Sequence, residues 1–265
     1  MHGRYRRAMD LRRELAPMYR NLDGDLGSGV AAGVIVPLVM QRVRPQSVLD
    51  LGAGVGSFLR AFIEHNVTDV AGIDLCLFEP ELFVVDPTLI SRGDLKDPVH
   101  QGRRYDLAMS LEVGAYLADH DVLVDSLVRH APVVVFSAAL PSQDLLHQHH
   151  GAFPSSWAAR FAARDYVVVD AFRPALWTDD RLPFWFRQNL LLFVHRPHLE
   201  ANPGLGEPSS ESAPLDIVHP ELYRMLAGTD ADASLKLALA RIPRIARAKA
   251  PRLADRLRRR VLQRR

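Results

Sequence analysis

The stretch Val48–Gly56, reading VLDLGAGVG, sets three glycines and a carboxylate where an apolar strand gives way to a helix. Ser47–Leu51 has the length and side chains of a buried strand, and helical spacing restarts over Ser57–Glu64 through Phe58, Leu59 and Phe62. Gly52, Gly54 and Gly56 fall in the turn between, where a missing Cβ lets a ligand near the backbone and backbone N–H groups face it. The chemistry that suits such a turn is the holding of a nucleoside-bearing cofactor. A G-x-G-x-x-G dinucleotide fingerprint would need glycine where Ser57 stands. Asp50, just ahead of the turn, would also repel a pyrophosphate. A second carboxylate, Asp74, ends the strand-like Asp69–Asp74 (DVAGID), at the distance along a βαβ unit where an acid accepts hydrogen bonds from both ribose hydroxyls. By itself the glycine turn is also what a tight strand-to-helix connection looks like.

The D-x-G-x-G-x-G form of this turn resembles motif I of the class I S-adenosylmethionine (SAM) dependent methyltransferases. SAM carries a sulfonium cation and an amino-acid tail instead of a pyrophosphate, so an acid near the turn can meet the ammonium or orient the loop. The resemblance implies SAM as cofactor, with Asp50, Gly52, Ala53, Gly54, Gly56, Asp74 and Leu75 in its site. It also implies that Asp94 and the Leu95 backbone, after a third β-prone segment Ile90–Leu95 (ISRGDL), serve the adenine amino group.

Methyl transfer is an in-line displacement, and for a hydroxyl acceptor a proton must leave. The base is expected beyond the carboxyl ends of the fourth and fifth strands. There the sequence offers Glu112 in SLEVGAYL, as base, metal ligand or cofactor contact, although a helix N-terminus also favours a carboxylate. After the fifth strand, PSQDLLHQHHGAFPSSW crowds His147, His149 and His150 into one loop. Histidine titrates near neutrality and suits proton abstraction. It also binds divalent metals, so an ion such as Mg²⁺ near Glu112 and His147, or Asp144, is a second reading. The bland alternative is three solvated histidines. The strip Arg173–Asn189 sets Trp177, Phe184, Trp185 and Phe186 among Arg173, Arg181, Arg187, Gln188 and Asn189. Aromatic faces interleaved with amide and guanidinium donors suit the wall of a sugar site, and core packing explains part of the strip equally well.

Together SLEVGAYL, VVVFSAALP, FPSSW, RPALW and FWFRQNLLLF resemble a bacterial subfamily of SAM-dependent methyltransferases. Its pattern runs EVAEH, FSAAIPGQGG with a His-containing loop, W-x-x-YW, RP-x-x-W and WW-x-x-QN. The similarity covers about Ser28 to Val194. Members accompany glycosyltransferases and polysaccharide or glycolipid enzymes, which implies a saccharide hydroxyl as acceptor. Tyr116, Trp157, Arg173, Trp177, Trp185 and Gln188 are then the substrate-binding candidates. Two departures stand out: Tyr116 replaces the histidine of EVAEH, and SQDLLHQHH replaces the glycine-rich loop.

The elements that must position these residues read as a Rossmann-like class I methyltransferase fold. It is an α/β architecture with a seven-stranded, mostly parallel sheet, an antiparallel last strand and flanking helices. Strands four and five are expected at Tyr105–Leu111 and Pro132–Ala138 with a helix at Val122–His130 between them, and the final pair at Tyr166–Phe172 and Asn189–Val194. Four regions follow: an N-terminal helical cap (1–45), the SAM-dependent domain (46–200), a linker with a short helix (201–240) and a basic C-terminal tail (241–265). The cap holds a basic helix at Arg4–Arg20 and a helix at Val30–Val43, with Pro37 inside it, that covers the cofactor site.

A 265-residue chain with 48% hydrophobic residues can bury one sizeable core. Cys76 is the only cysteine, which excludes a disulfide framework or cysteine-based zinc site within the chain. The longest apolar run, Val30–Met40, is too short to span a bilayer, and the arginine-rich start lacks a signal-peptide core. Cytoplasmic residence is the expectation. The net charge of +2 hides an asymmetry: the last 25 residues hold eleven Arg and Lys against Asp255, leaving the first 240 with 22 basic and 30 acidic residues, net −8. Such a tail suits peripheral contact with an anionic membrane at its inner face, while the acidic body argues against nucleic acid. The reading is an O-methyltransferase acting on a saccharide or glycolipid hydroxyl with a loop histidine as base. RNA or natural-product methylation, or a non-catalytic SAM-binding protein, are the alternatives.

Overall fold

Strand β1 (Ser47–Leu51), helix α2 (Ser57–Glu64) and strand β2 (Asp69–Asp74) form on the residues expected of them. They are preceded by α1 (Ser28–Arg42), which continues through Pro37. The computed structural model describes residues 28–75, 79–143, 150–210 and 212–227. The basic helix expected at 4–20, His147, His149, Asp144 and the basic tail lie outside them.

The remaining elements are β3 (Ile90–Arg92), β4 (Leu107–Leu111), α3 (His120–His130), β5 (Val133–Ser137), α4 (Pro154–Ala162), β6 (Tyr166–Val169), α5 (Arg173–Leu176), α6 (Phe184–Asn189), β7 (Leu191–His195), α7 (Arg196–Ala201) and α8 (Pro220–Ala227). Boundaries move where a local hydrogen bond wins. β3 stops before Leu95 because, past a last bond from Gly93 N–H to the Asp74 carbonyl (2.9 Å), Asp94 takes the Lys96 N–H on its carboxylate (3.2 Å) and the Asp97 N–H on its carbonyl (2.9 Å), which turns the chain out of the sheet. Tyr105 gives its N–H to the His130 carbonyl at 2.7 Å, so β4 starts after it. Helix α3 begins two residues early because Asp119 caps it, its carboxylate accepting from Asp121 N–H.

One seven-stranded sheet results, in the order β3-β2-β1-β4-β5-β7-β6. All strands are parallel except β7, which runs antiparallel to both β5 and β6. The chain leaves β1 for β2 on one side and later returns to β4 on the other, so the carboxyl ends of β1 and β4 flank the crevice where doubly wound sheets bind ligands.

Each face of the sheet is covered, and strand alternation assigns side chains to them. Val133 and Val135 pack with Ile35, Val36, Leu59 and Phe62 from α1 and α2. Val134 and Phe136 point the other way, among Leu123, Leu127 and Phe161 from α3 and α4. On that second face Phe161 stacks on Phe193 at 3.9 Å between centroids and meets Phe136 edge-on at 5.7 Å.

The Pro/Gly/Ser stretch after Ala201, expected as a linker, is docked where it is described. Leu205 is buried, Arg42 donates to its carbonyl at 3.2 Å, Ser209 N–H bonds the Val168 carbonyl at 2.8 Å, and Asp216 accepts both the N–H and the hydroxyl of Ser155. Arg173, expected to touch substrate, belongs to the same fastening. Only 1% exposed, it clamps the Asp170 carboxylate through Nε and Nη2 and donates Nη1 to the Leu215 carbonyl at 2.7 Å. Contacts divide the chain into two units, 1–217 and 218–265. Of the second the structure describes α8 and its start, where His219 Nδ1 accepts the Glu221 N–H at 3.3 Å. Among the described residues no helix is long and apolar enough to cross a membrane.

Because Phe161 is fully buried and joins α4 to three aromatic side chains of the sheet face, Phe161→Ala should cost about 3–5 kcal/mol of unfolding free energy. Urea titration of the variant checks this; a loss below ~1 kcal/mol would mean the stack collapses without penalty.

Candidate functional site

The residues with chemical potential gather at the carboxyl ends of β1, β2, β4 and β5. Gly52, Gly54 and Gly56 take φ of 99°, 57° and 89°. At Gly52 a side chain is doubly barred: its φ is left-handed, and a Cβ there would overlap Val113 of the loop after β4. The two loops therefore close directly on each other. Of the turn's amides, four bond within the protein: Gly52 and Ala53 donate to the Ile73 carbonyl (2.8 and 3.3 Å), Gly54 to Asp74 Oδ2 (2.9 Å) and Gly56 to the Ala53 carbonyl (2.9 Å). This corrects the expectation that the turn's N–H groups face a ligand. The neighbouring parallel strand ends beside them and takes their hydrogens, so the turn is shaped and pinned and does not form an anion nest.

What it presents is acid. Asp50 lies on β1, 3% exposed, and Asp74 sits half-buried at the end of β2. Burial, and then the nearby Asp74 charge, push the Asp50 carboxyl up to about 8. Asp94 is half-buried after β3 and Leu95 packs beneath it with Leu49, Leu51 and Ile73. Leu75 is half-buried beside Asp74. Strand ends that carry carboxylates, with four of the turn's amides bonded within the protein, suit a cationic ligand carrying hydroxyl groups and disfavour a pyrophosphate. SAM fits that donor and acceptor set.

On the β4 side, Glu112 is half-buried with a left-handed backbone, φ 58°. Its N–H donates to the Ser137 carbonyl (2.9 Å) and approaches Ser137 Oγ (3.2 Å), which ties it to the end of β5. Asn189 Nδ2 approaches Glu112 Oε1 at 3.4 Å. Behind it stand Gln143 and Gln188, both buried: Gln188 Nε2 donates to Asn189 Oδ1 (2.9 Å) and Gln143 Oε1 accepts from Asn189, Gln188 and the Leu140 N–H. Gln188 thus joins Glu112, though through Asn189. Gln143 was missed in the sequence, and Asn189 entered only as one donor in an aromatic strip. The available signal was an amide side chain set in an apolar stretch at the carboxyl edge of the sheet, where burial demands a partner.

The other candidates are distributed as follows. Trp157, a substrate-binding candidate, is only 2% exposed: its ring lies against Gly114, whose Cβ would meet it at 2.7 Å, and packs on His120 (4.2 Å) and Phe136 (4.6 Å). It props the Glu112 loop from beneath. Tyr116 is half-buried at the end of the short turn Gly114–Tyr116. Trp177 and Trp185 are half-buried, Trp185 set edge-on to Phe184 at 5.2 Å. His150 is exposed, and its N–H on the Ala115 carbonyl (2.9 Å) brings the end of the histidine loop to the turn that follows Glu112. No three His, Cys, Asp or Glu side chains converge as metal ligands among the described residues, so the expected Mg²⁺ near Glu112 gains no support there.

A family model described as a methyltransferase domain matches residues 2–181, well over half of the sequence. The chain belongs to this methyltransferase family. Among solved structures, the CcbJ methyltransferase of Streptomyces caelestis matches at 15% identity over 70% of this chain and 97% of that one, with a TM-score of 0.50, and shares its fold. KedS8 of a Streptoalloteichus species, described as a sugar N-methyltransferase, matches at 19% identity over 62% of this chain and 86% of that one, TM-score 0.47. The match to Streptomyces venezuelae DesVI has 24% identity over 49% of this chain, TM-score 0.37, and spans only 57% of that protein's length. No curated protein matches the methyltransferase in sequence.

The Asp50 carboxyl stays protonated up to about pH 8 in the ligand-free fold and ionises near 3.9 in the unfolded chain. Between those values the folded state binds more protons, so the stability Asp50 contributes falls as pH rises through the window. Asp50→Asn should therefore raise the ligand-free melting temperature more at pH 8 than at pH 5, roughly 2–4 °C for each kcal/mol of relieved cost. Scanning calorimetry at the two pH values decides it; equal shifts would remove the buried-acid account.

Proposed function

We propose that this methyltransferase uses SAM to methylate a hydroxyl of a saccharide or glycolipid. The observation that supports the reading is the approach of Val113 to Gly52, which sets the loop that carries Glu112 against a glycine turn flanked by Asp50 and Asp74. Glu112 follows the strand on one side of the one that carries Asp50, and Asp74 ends the strand on its other side. When bound, SAM supplies a methyl carbon already activated by its sulfonium.

The chain's own residues then have separate tasks. Asp74 exchanges its Gly54 N–H for, or shares it with, the ribose hydroxyls, and Asp50 ionises opposite the ammonium that relieves its burial. Asp94 and Leu95 serve the adenine edge. A histidine among His147, His149 and His150 takes the proton of the reacting hydroxyl, while Glu112 accepts a hydrogen bond from a neighbouring hydroxyl of the acceptor and so orients it for that base. His150 is anchored one turn beyond Glu112, which supports a base from that loop. Trp177, Trp185 and Tyr116 offer half-buried aromatic faces to a sugar ring. The basic tail, held near an anionic membrane, would suit a glycolipid acceptor.

Two measurements test this. Asp74→Ala should weaken SAM binding by about tenfold or more, ~1.4 kcal/mol, in isothermal titration, and unchanged affinity would defeat the cofactor assignment. Label transfer from SAM to a saccharide panel should be seen with the wild type and drop at least ~100-fold in one of the His147, His149 and His150 alanine variants, with SAM affinity kept. Transfer confined to the amino groups of amino sugars in the same panel would replace the hydroxyl reading.

A further inference from the structure

The amide cluster behind Glu112 has a polarity fixed at one end by the backbone. Leu140 N–H can only donate, and it lies 3.1 Å from Gln143 Oε1, so that atom must be the carbonyl oxygen of the amide. The same oxygen receives Gln188 Nε2 and Asn189 Nδ2, each at 3.3 Å, which assigns both of those atoms as N–H donors. Asn189 Nδ2 has a second hydrogen, and Glu112 Oε1 lies 3.4 Å from it. Asn189 Oδ1 is held in turn by Gln188 Nε2 at 2.9 Å. An asparagine is symmetric enough to present oxygen or nitrogen to a neighbour; here, flipping would set its carbonyl against both the Gln143 carbonyl and the Glu112 carboxylate. With Gln143, Gln188 and Asn189 each 3% exposed or less, no solvent offsets such a mismatch.

We infer that Gln143 is a positioning residue for methyl transfer: by locking the Asn189 amide it presents a fixed N–H to Glu112 and holds that carboxylate oriented as an acceptor at the mouth of the crevice. The inference rests on the reading that Glu112 acts on the acceptor. Gln143 itself lies one shell behind the reacting atoms, and its effect passes through two side chains. The long Asn189–Glu112 separation is the slack link, and a relay that tightens when substrate arrives acts on turnover more than on binding.

The full-length chain is tested with labelled SAM and whichever panel saccharide accepts the label. Gln143→Leu should lower kcat about tenfold or more while the SAM dissociation constant stays within about twofold, and Gln143→Glu, which restores an acceptor oxygen to Leu140, Gln188 and Asn189, should recover to within about threefold of wild type. In a Glu112→Ala background, which leaves Asn189 no acceptor at that position, Gln143→Leu should change the residual kcat less than about twofold, since the link it acts through is gone. A loss of the same size in both backgrounds, or no recovery with Gln143→Glu, overturns the relay in favour of simple packing. The second readout needs no acceptor: the side-chain amide protons of Asn189, followed by NMR in the wild type, should shift on both Gln143→Leu and Glu112→Ala. Unmoved Asn189 signals overturn the inference whatever the activity. Responsive signals in a protein that methylates nothing in the panel support the relay and refute the saccharide reading instead.

Discussion

Two carboxylates near the carboxyl ends of adjacent parallel strands set the terms for the rest of this molecule. Asp50 is buried on β1, and Asp74 holds the glycine turn through the Gly54 N–H. In the ligand-free fold one of the pair retains its proton well above the usual carboxylate range. The fold tolerates this because the surrounding bonds are strong and local: the turn is pinned to Ile73, and Val113 closes over Gly52. A ligand that brings positive charge removes the conflict, whereas a pyrophosphate would deepen it. Cofactor preference is thus written in the electrostatics of the strand ends, with the turn's amides acting as fasteners.

The topology explains how the Glu112 loop and the amides behind it come to lie next to that pair. β4 pairs with β1 directly, so the loop carrying Glu112 and Val113 emerges beside the glycine turn. β7 is antiparallel, with Leu191 opposite Phe136, so the residues just before it lie beyond the carboxyl end of β5. A parallel strand in that place would have delivered its carboxyl end and put Gln188 and Asn189 at the far edge of the sheet. Reversing one strand is what lets a helix that ends in Gln-Asn supply amides to a carboxylate on β4.

Much of this was legible in the sequence, and the boundary of legibility has physical causes. β1, α2 and β2 fall on the expected residues because a short apolar run, a glycine turn and a helical stripe are each local signals. The antiparallel last pair was readable from two strand patterns with no full helix between them. The roles of Arg173 and Trp157 were not, since composition shows that a side chain is aromatic or basic and leaves open what it faces. Trp157 is buried because Gly114, distant in sequence, leaves room for its ring. Arg173 had a partner within reach of the sequence, Asp170 three residues earlier, but its second anchor at Leu215 exists only in the fold. The committed amides of the glycine turn depend likewise on a strand that only the folded sheet brings alongside.

Glu112 is where these constraints meet in one residue. A non-glycine side chain with left-handed φ costs on the order of 1 kcal/mol or more, and the turn after β4 would be relaxed with glycine in that place. Two bonds from Ser137 offset part of the strain, but they are made by the Glu112 N–H, which any residue except proline would supply. The backbone therefore gains nothing from glutamate in particular. What the position does gain is a carboxylate whose Oε1 meets a buried, polarity-fixed amide and whose loop abuts the glycine turn. Strain retained at a residue whose side chain, and not its backbone, distinguishes it from glycine is what the proposed role of Glu112 in methyl transfer would account for.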